Sequence, residues 1–502
     1  MRRRDYLKAI GGLSGITYLA GCPGSRDEGE PESDPETPAV EQTPGDVQTQ
    51  GEPTPSQERT PGIQRGGIEF DRVVNAVDDL GLDPTGNEPF GKVLTEVPDG
   101  TLVQFPEGTY QFGANRLWIG EQTIGMEGTG RVTLVPPEGN NEHILTADGG
   151  NALYFGGFNV DQTIPETVGA FRLIARQRVY IEDVQFFGRG DRSTDHVNNM
   201  LHVSLEDPDG QGVVRNVVSK RNHWAKYANG SGRIGIWSGS RHRGTVRIVD
   251  CDLREFGNNA LYTSRCPGKV QVEDSYFENN NASSVRIGGE GSYAENCLFV
   301  VDLEKYTGPR DREGDDFYHR GVVVEEHFQQ LPDQKPAGAR VRNCEFLYEN
   351  VPNSTPAVTV WSNGRTLELQ NCRFVFNNDG ANAVIERHSF SNRGNRGNPP
   401  GSRPRWLRIT NTSIEGNADV NYAVSITDGN NSHISSCCIG LTGGNAGGVF
   451  IADSDGCLVE NTAIDVAGES VVTQKATPTV RNIYDVLTAQ PCSDSPAAGS
   501  VR

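Results

Sequence analysis

From residue 179 onward the chain repeats one short pattern: a few residues alternate apolar and polar, and an Asn or Asp follows. A small residue, any residue and an apolar one then close the pattern. It recurs at Val179 to Asp183, Val246 to Asp250, Val270 to Asp274, Tyr293 to Asn296, Val341 to Asn343, Leu367 to Asn371, Leu407 to Asn411, Ile434 to Ser436, Leu458 to Asn461 and Val480 to Asn482. Period-two alternation with Val or Ile at the apolar positions predicts strands and excludes helical repeats. The marked positions step by 24 and 22 residues from 250 to 296, by 28 from 343 to 371, and by 25, 25 and 21 from 411 to 482. Self-similarity at that period predicts a β-solenoid, each strand pairing with its counterpart one rung away. The Asn or Asp at each turn tolerates left-handed backbone angles and can hydrogen-bond to the same residue of the next rung.

Steps of 47 (296 to 343) and 40 (371 to 411) exceed one coil, and each contains a polar, Arg-rich insertion, at about 302 to 320 and 389 to 405. Insertions in solenoids map to loops on one face, often the binding face. No second break in composition occurs after Gly67, which predicts one elongated all-β body over residues 68–492 and a short tail over 493–502. Its opening text sharpens the expectation. Val74-Asn75-Ala76 through Gly81-Leu82-Asp83-Pro84-Thr85-Gly86, followed by Gly100 to Tyr110, resembles the start of pectate-lyase-like β-helix proteins, where such text spans a first strand, a capping helix and a first coil. That resemblance covers residues 70 to 490 as architecture and implies a single right-handed parallel β-helix. It implies little about function, because this scaffold hosts lyases, hydrolases, epimerases, tailspikes and adhesins.

Before the body, the text is of another kind. Arg2, Arg3 and Arg4 precede a modest apolar run from Ala9 to Ala20, too short to span a bilayer. Arg3-Arg4-Asp5-Tyr6-Leu7-Lys8 resembles a twin-arginine export motif, and Leu19-Ala20-Gly21-Cys22 resembles a lipobox. Residues 1–22 are therefore expected to be an export signal and Cys22 a lipidation site, which makes the membrane a partner only through that anchor. Residues 23–67 are Pro, Glu, Asp, Gln, Thr and Ser with few large apolar groups, a composition expected to leave a disordered, extended tether between lipid and body.

Charge narrows the partners. The formal net charge is −20, and only eight of the 46 basic residues are lysine. An acidic, lysine-poor chain resembles those of salt-adapted archaea, and its surface argues against nucleic acid as a partner. Ten cysteines are present. Cys251, Cys297, Cys344, Cys372 and Cys437 share one coil position and are expected to be buried thiols, because stacked side chains point the same way and do not turn toward one another. Cys266, Cys438, Cys457 and Cys492 remain candidates for bridges.

The candidate chemistry lies on the strand preceding each Asn turn. If Ile236, Ile287, Val324, Val360, Ile385, Ile426 and Ile451 point inward, their neighbours point out and form a row of Trp237, Ser264, Gly288, Glu325, Trp361, Glu386, Thr427 and Ala452. In that row Trp361 stands between Glu325 and Glu386, placing the two carboxylates roughly 9.5 Å apart, near the upper limit used by inverting glycosidases. His327 and His388 are the accompanying proton carriers, and Trp237, Arg286, Trp361 and Tyr318 the sugar-contacting groups, since an aromatic face can stack on a sugar while charged groups bond its hydroxyls.

Elimination from a uronic-acid polymer is the alternative chemistry. Arg265-Cys266-Pro267-Gly268-Lys269 resembles part of a pectate-lyase element, but Val270 stands where its final Arg belongs, so no role is carried over. No cofactor is required by any motif. Ca2+ is a candidate at Asp207 and Asp209 or at Asp311, Asp315 and Asp316, as hard oxygen ligands. Two classes of function follow: a surface protein that binds and depolymerises an extracellular polysaccharide as hydrolase or lyase, or a non-catalytic module for adhesion or envelope structure. The sequence fixes no oligomeric state.

Overall fold

The computed structural model describes residues 62–113, 117–190, 199–222, 232–308, 318–326, 338–351, 354–362, 364–388 and 404–484. The expected signal and lipid site at Cys22, most of the tether, and the tail at 493–502 lie outside them. Within them the chain forms a right-handed parallel β-helix with three lateral sheets. Sheet one stacks Thr245–Val249, Lys269–Glu273, Tyr293–Glu295, Ala339–Arg342, Leu367–Gln370, Leu407–Thr410 and His433–Ser435 in parallel register. Sheet two stacks Asp252–Arg254, Tyr276–Glu278, Leu298–Asp302, Glu345–Glu349, Arg373–Phe376, Ser413–Gly416 and Cys438–Leu441. Sheet three stacks Ile234–Trp237, Leu261–Tyr262, Ser283–Ile287, Arg320–Val324, Val358–Val360, Ala383–Arg387, Tyr422–Thr427 and Val449–Ala452. The two long steps each prove to be one coil plus an insertion, since Glu295 pairs with Arg342 and Gln370 with Thr410.

The turn between sheets one and two explains the sequence repeat. Asp183, Asp250, Asp274, Asn296, Asn343, Asn371, Asn411, Ser436, Asn461 and Asn482 all have positive φ, between 48 and 55°. Asn and Asp accept that backbone at lower cost than branched residues. Their side chains form a ladder: Asn296 donates to Asp274 at 3.0 Å, Asn371 to Asn343 at 3.1 Å, Asn411 to Asn371 at 2.9 Å and Asn482 to Asn461 at 2.8 Å. Asn216, φ 48°, is a further member, donating to Asp183 at 2.6 Å; its strand Gln211–Ser219 pairs with both neighbours of the 183 to 250 interval.

Inside the coil like residues stack on like. Phe277, Phe299, Phe346 and Phe374 lie ring on ring with centroids 4.4 to 5.2 Å apart and are fully buried. Cys251, Cys297, Cys344, Cys372 and Cys437 are buried thiols at the position after the turn residue, as the repeat predicts. Of the bridge candidates, Cys438 is disulfide-bonded, Cys266 and Cys457 are buried thiols, and Cys492 lies outside the described residues.

The first coil departs from expectation in two ways. Ala76 to Leu80 make only one turn of helix-like hydrogen bonds, from Asp79 and Leu80 to the Asn75 carbonyl and from Gly81 to Val77. So few residues before Pro84 cannot extend into a capping helix. Ile63–Arg65, expected in the tether, instead form an antiparallel hairpin with Ile68–Phe70 across Gly66 and Gly67, whose φ of 55 and 74° suits a two-residue turn. Ile68 and Phe70 pack with Leu102, Ala152 and Tyr154 in a second apolar cluster on the outside of the coil.

Candidate functional site

Register decides which side chains share the outer face of sheet three. Trp237 pairs with Tyr262, Tyr262 with Arg286, Arg286 with Val323, Val323 with Thr359, Thr359 with Glu386 and Glu386 with Ser425. The outward row is thus Trp237, Tyr262, Arg286, Val323, Thr359, Glu386 and Ser425. Glu325 and Trp361 stand two residues further along, where the sheet ends. The single row expected from the sequence therefore splits in two: each strand offers two inward residues in alternation, and choosing one Ile or Val per strand without the register mixes them. Glu325 and Glu386 are offset along the strands as well as by two rungs, so they do not face each other across Trp361.

At the centre of the face lies Arg286. Its guanidinium carbon sits 4.3 Å from the centroid of the Tyr262 ring and 4.3 Å from that of Trp361. Its Nε donates to Glu325 Oε2 at 2.7 Å, and Ser264 Oγ donates to the same oxygen at 2.8 Å. Arg265 Nε stands 3.9 Å from it. Burial alone would raise the Glu325 carboxyl, but the charges of Arg286 and Arg265 and the two hydrogen bonds outweigh it and hold the group at about 2. Trp237 meets Tyr262 edge-on at 4.8 Å, so a continuous aromatic and cationic band runs from Trp237 to Trp361. Trp237 and Trp361 are half-buried, whereas Tyr262, Arg286 and Glu325 are closed to solvent.

Beside this band stands a second group. Glu386 accepts from Asn382 at 2.7 Å and lies 3.1 Å from Nε2 of the exposed His388. Burial raises its carboxyl, and His388, Asn382 and the more distant Arg320 pull it below the ordinary range. Arg320 lies 4.7 Å over the Tyr318 ring and 5.9 Å from Trp361, and the Tyr318 amide donates to Asn281 Oδ1 at 3.0 Å. Of the residues expected at a site, the fold thus gathers Trp237, Arg286, Glu325, Trp361, Tyr318, Glu386 and His388 on one face. His327 lies outside the described residues.

Chemically, the arrangement differs from a glycosidase pair. An inverting or retaining mechanism requires one carboxyl kept protonated by a raised pKa. Both glutamates here shift the other way. Among the described residues no group of three or more His, Cys, Asp or Glu side chains could hold a metal ion. Asp207 and Asp209 line a polar hollow of about 500 Å3 with Glu69, Asn151, Gln177 and Arg178, remote in the chain from sheet three's central strands. Asp311, Asp315 and Asp316 lie outside the described residues.

Tyr262 and Arg320 were missed in the sequence reading. The signal for Tyr262 was present: 24 residues separate it from Arg286, the same step as from Asp250 to Asp274. Arg320 carries no such signal, because it closes an insertion of irregular length.

No family model matches this chain, and a search of curated proteins finds no sequence relative. Among solved structures, the A-module of the Azotobacter vinelandii mannuronan C-5 epimerase AlgE6 is similar over 78% of this chain and 99% of that one, at 14% identity and a TM-score of 0.50. PfbA, a surface adhesin of Streptococcus pneumoniae, is similar over 80% and 91%, at 14% identity and a TM-score of 0.45. A mutant tailspike protein of E. coli bacteriophage HK620, in complex with a pentasaccharide, is similar over 82% and 78%, at 12% identity and a TM-score of 0.40. At these identities the likeness concerns the fold alone.

Proposed function

We propose that this chain is an exported, lipid-anchored cell-surface protein whose sheet-three face binds an extracellular polysaccharide without cleaving it. One observation carries the binding reading: two half-buried tryptophans, Trp237 and Trp361, flank a closed Tyr262–Arg286–Glu325 cluster on one lateral face. Their backbones are four rungs apart, but the contacts through Tyr262 and Arg286 draw the two rings to within about 13 Å of each other, still longer than a single sugar. Rings held edge-on or against a guanidinium keep one orientation, so they offer sugar-stacking surfaces at small entropic cost. The preference for binding over hydrolysis rests on geometry: Glu325 is closed to solvent beneath Arg286 and Ser264, and it is offset from Glu386 by two rungs and along the strands, so the two do not face each other. Export and anchoring rest on the twin-arginine-like and lipobox-like text ending at Cys22.

The test uses the full-length chain on immobilised neutral and acidic polysaccharides in high salt, with Trp237→Ala and Trp361→Ala variants and a parallel assay for new reducing ends and unsaturated products. Binding to at least one polysaccharide, weakened about tenfold or more in each variant with unchanged far-UV spectra, is expected. Absence of binding across the panel, or variants that bind like the wild type, would overturn the reading. New reducing ends that vanish in Glu386→Gln would replace it with hydrolysis.

A further inference from the structure

Arg387 is the last residue of the strand Ala383–Arg387 and pairs with Val360 and Ile426, which are both inward and fully buried. Its side chain accordingly enters the coil, where it is 0% exposed. Nη1 donates to the Arg365 carbonyl at 2.9 Å, while Nε and Nη2 have no hydrogen-bond partner. Among the described residues no carboxylate lies within ion-pairing distance of it. Gly429 makes room for the stem: a Cβ there would stand 3.0 Å from Arg387 Cδ.

Among the described residues the charges around this corner do not cancel. Arg405, Asp428 and Glu326 act on Arg387 through space. Glu326 is engaged by Arg365, and Arg405 Nη1 donates to the Ser362 carbonyl at 3.0 Å. Among the described residues, three guanidinium groups thus share the corner with two carboxylates. The local sequence carries the same sign. Between Glu386 and Glu415 stand six arginines and no Asp or Glu, in a chain of net charge −20. A buried cation with unpaired N–H groups is strongly unfavourable unless an acceptor meets it.

We propose that Arg387, inside the corner where sheet three turns toward sheet one, binds a small inorganic anion, with chloride as the representative, on its Nε and Nη2 groups. The enclosure sets the class. Arg387 and its strand neighbours Val360 and Ile426 are all 0% exposed, so the acidic group of a glycan is too large for this corner, whereas a monatomic ion is of the right size. The site is separate from the Trp237–Trp361 band, and its failure would leave the polysaccharide reading untouched.

Thermal unfolding of the full-length chain in sodium chloride and in sodium gluconate, at matched ionic strength, tests this. A ligand bound by the native state alone raises Tm with the logarithm of its concentration, so chloride should add roughly 2–4 °C over gluconate, and Arg387→Met should abolish the difference. A second measurement needs no variant: bromide diffused into crystals of the wild type should give anomalous scattering within hydrogen-bond reach of Arg387 Nε and Nη2. Equal melting in both salts, or bromide bound elsewhere but not in this corner, would overturn the assignment.

Discussion

Arg286 donates its Nε to Glu325 from the neighbouring rung at 2.7 Å, and each residue is only 3% exposed. The pair is closed on both sides by aromatic rings, Tyr262 and Trp361, each 4.3 Å from the guanidinium. Desolvated charges of this kind attract strongly but also lose their hydration, so the pair fixes geometry more than it adds net stability. For the proposed site the consequence is a Trp361 ring held in one place by a cation behind it.

Breaking the pair from one side should therefore be costly. Glu325→Gln removes the carboxylate to which the buried Arg286 guanidinium donates, and a loss of about 3–5 kcal/mol is expected. Glu325→Leu combined with Arg286→Met removes both charges and should recover most of that loss. Chemical denaturation of the full chain, compared across the three proteins, measures it. Equal destabilisation by single and double variants would mean that packing, not charge, dominates at this position.

Acid should unfold the protein through this and related carboxylates. Glu325 is held at about 2 in the folded chain, and Glu127, Glu273, Asp302 and Glu386 are lowered as well. A depressed carboxyl contributes stability that is fully present above its unfolded value and is lost as pH falls through the folded one. Stability should thus be flat above about pH 5 and decline from about pH 4.5 toward pH 2. In Glu325→Gln the decline should be shallower, since one of these groups no longer titrates. Melting temperatures taken at intervals across that range decide it, and an unchanged slope in the variant would contradict the assignment of Glu325.

Much of the fold was legible in the sequence, because a repeat states its turn again in every coil. All ten marked Asn, Asp and Ser positions take the left-handed backbone expected of them. The face was less legible. Which residues point outward follows from alternation, but which of them align follows from register, and two equivalent inward rows left the choice open. Glu386 accordingly stands with Thr359 and Ser425 rather than beside Trp361. Arg387 was invisible for a related reason. A charged residue at an inward position breaks the alternation on which the reading depends.

The Asn ladder permits a cleaner separation of backbone from side-chain effects than most positions. Asn371 has φ 54°, donates to Asn343 at 3.1 Å and accepts from Asn411 at 2.9 Å. Asn371→Ala loses both bonds and adds left-handed strain, and a cost of about 2–3 kcal/mol is expected. Asn371→Gly loses the same bonds without the strain and should cost about 1 kcal/mol less. Asn371→Asp keeps an acceptor for Asn411 but loses the donor to Asn343, which places it between the wild type and Ala. Denaturation midpoints in that order would establish backbone strain and the ladder as separable contributions; Gly falling below Ala would show that the ladder turn does not require the left-handed conformation.

The stacked thiols give the last test, because rung spacing places Cys297, Cys344 and Cys372 within reach of one another and yet they remain reduced. Neighbouring rungs stand about 4.8 Å apart, inside the Cα range of a disulfide, but side chains at one coil position point the same way. Burial pushes the Cys251 and Cys437 thiols up to about 12, and burial raises Cys297 and Cys344 well above their ordinary value. The thiolate is the reacting species, so at pH 8 these groups should resist alkylation in the native chain. Unfolding without reductant should expose the thiols of Cys251, Cys266, Cys297, Cys344, Cys372, Cys437 and Cys457 together. Cys438 should label only after reduction, since it is disulfide-bonded. Mass spectrometry of the labelled peptides distinguishes the groups. Rapid native labelling of Cys344 would mean that the coil opens locally at sheet one's turn, and labelling of Cys438 without reductant would remove its bridge.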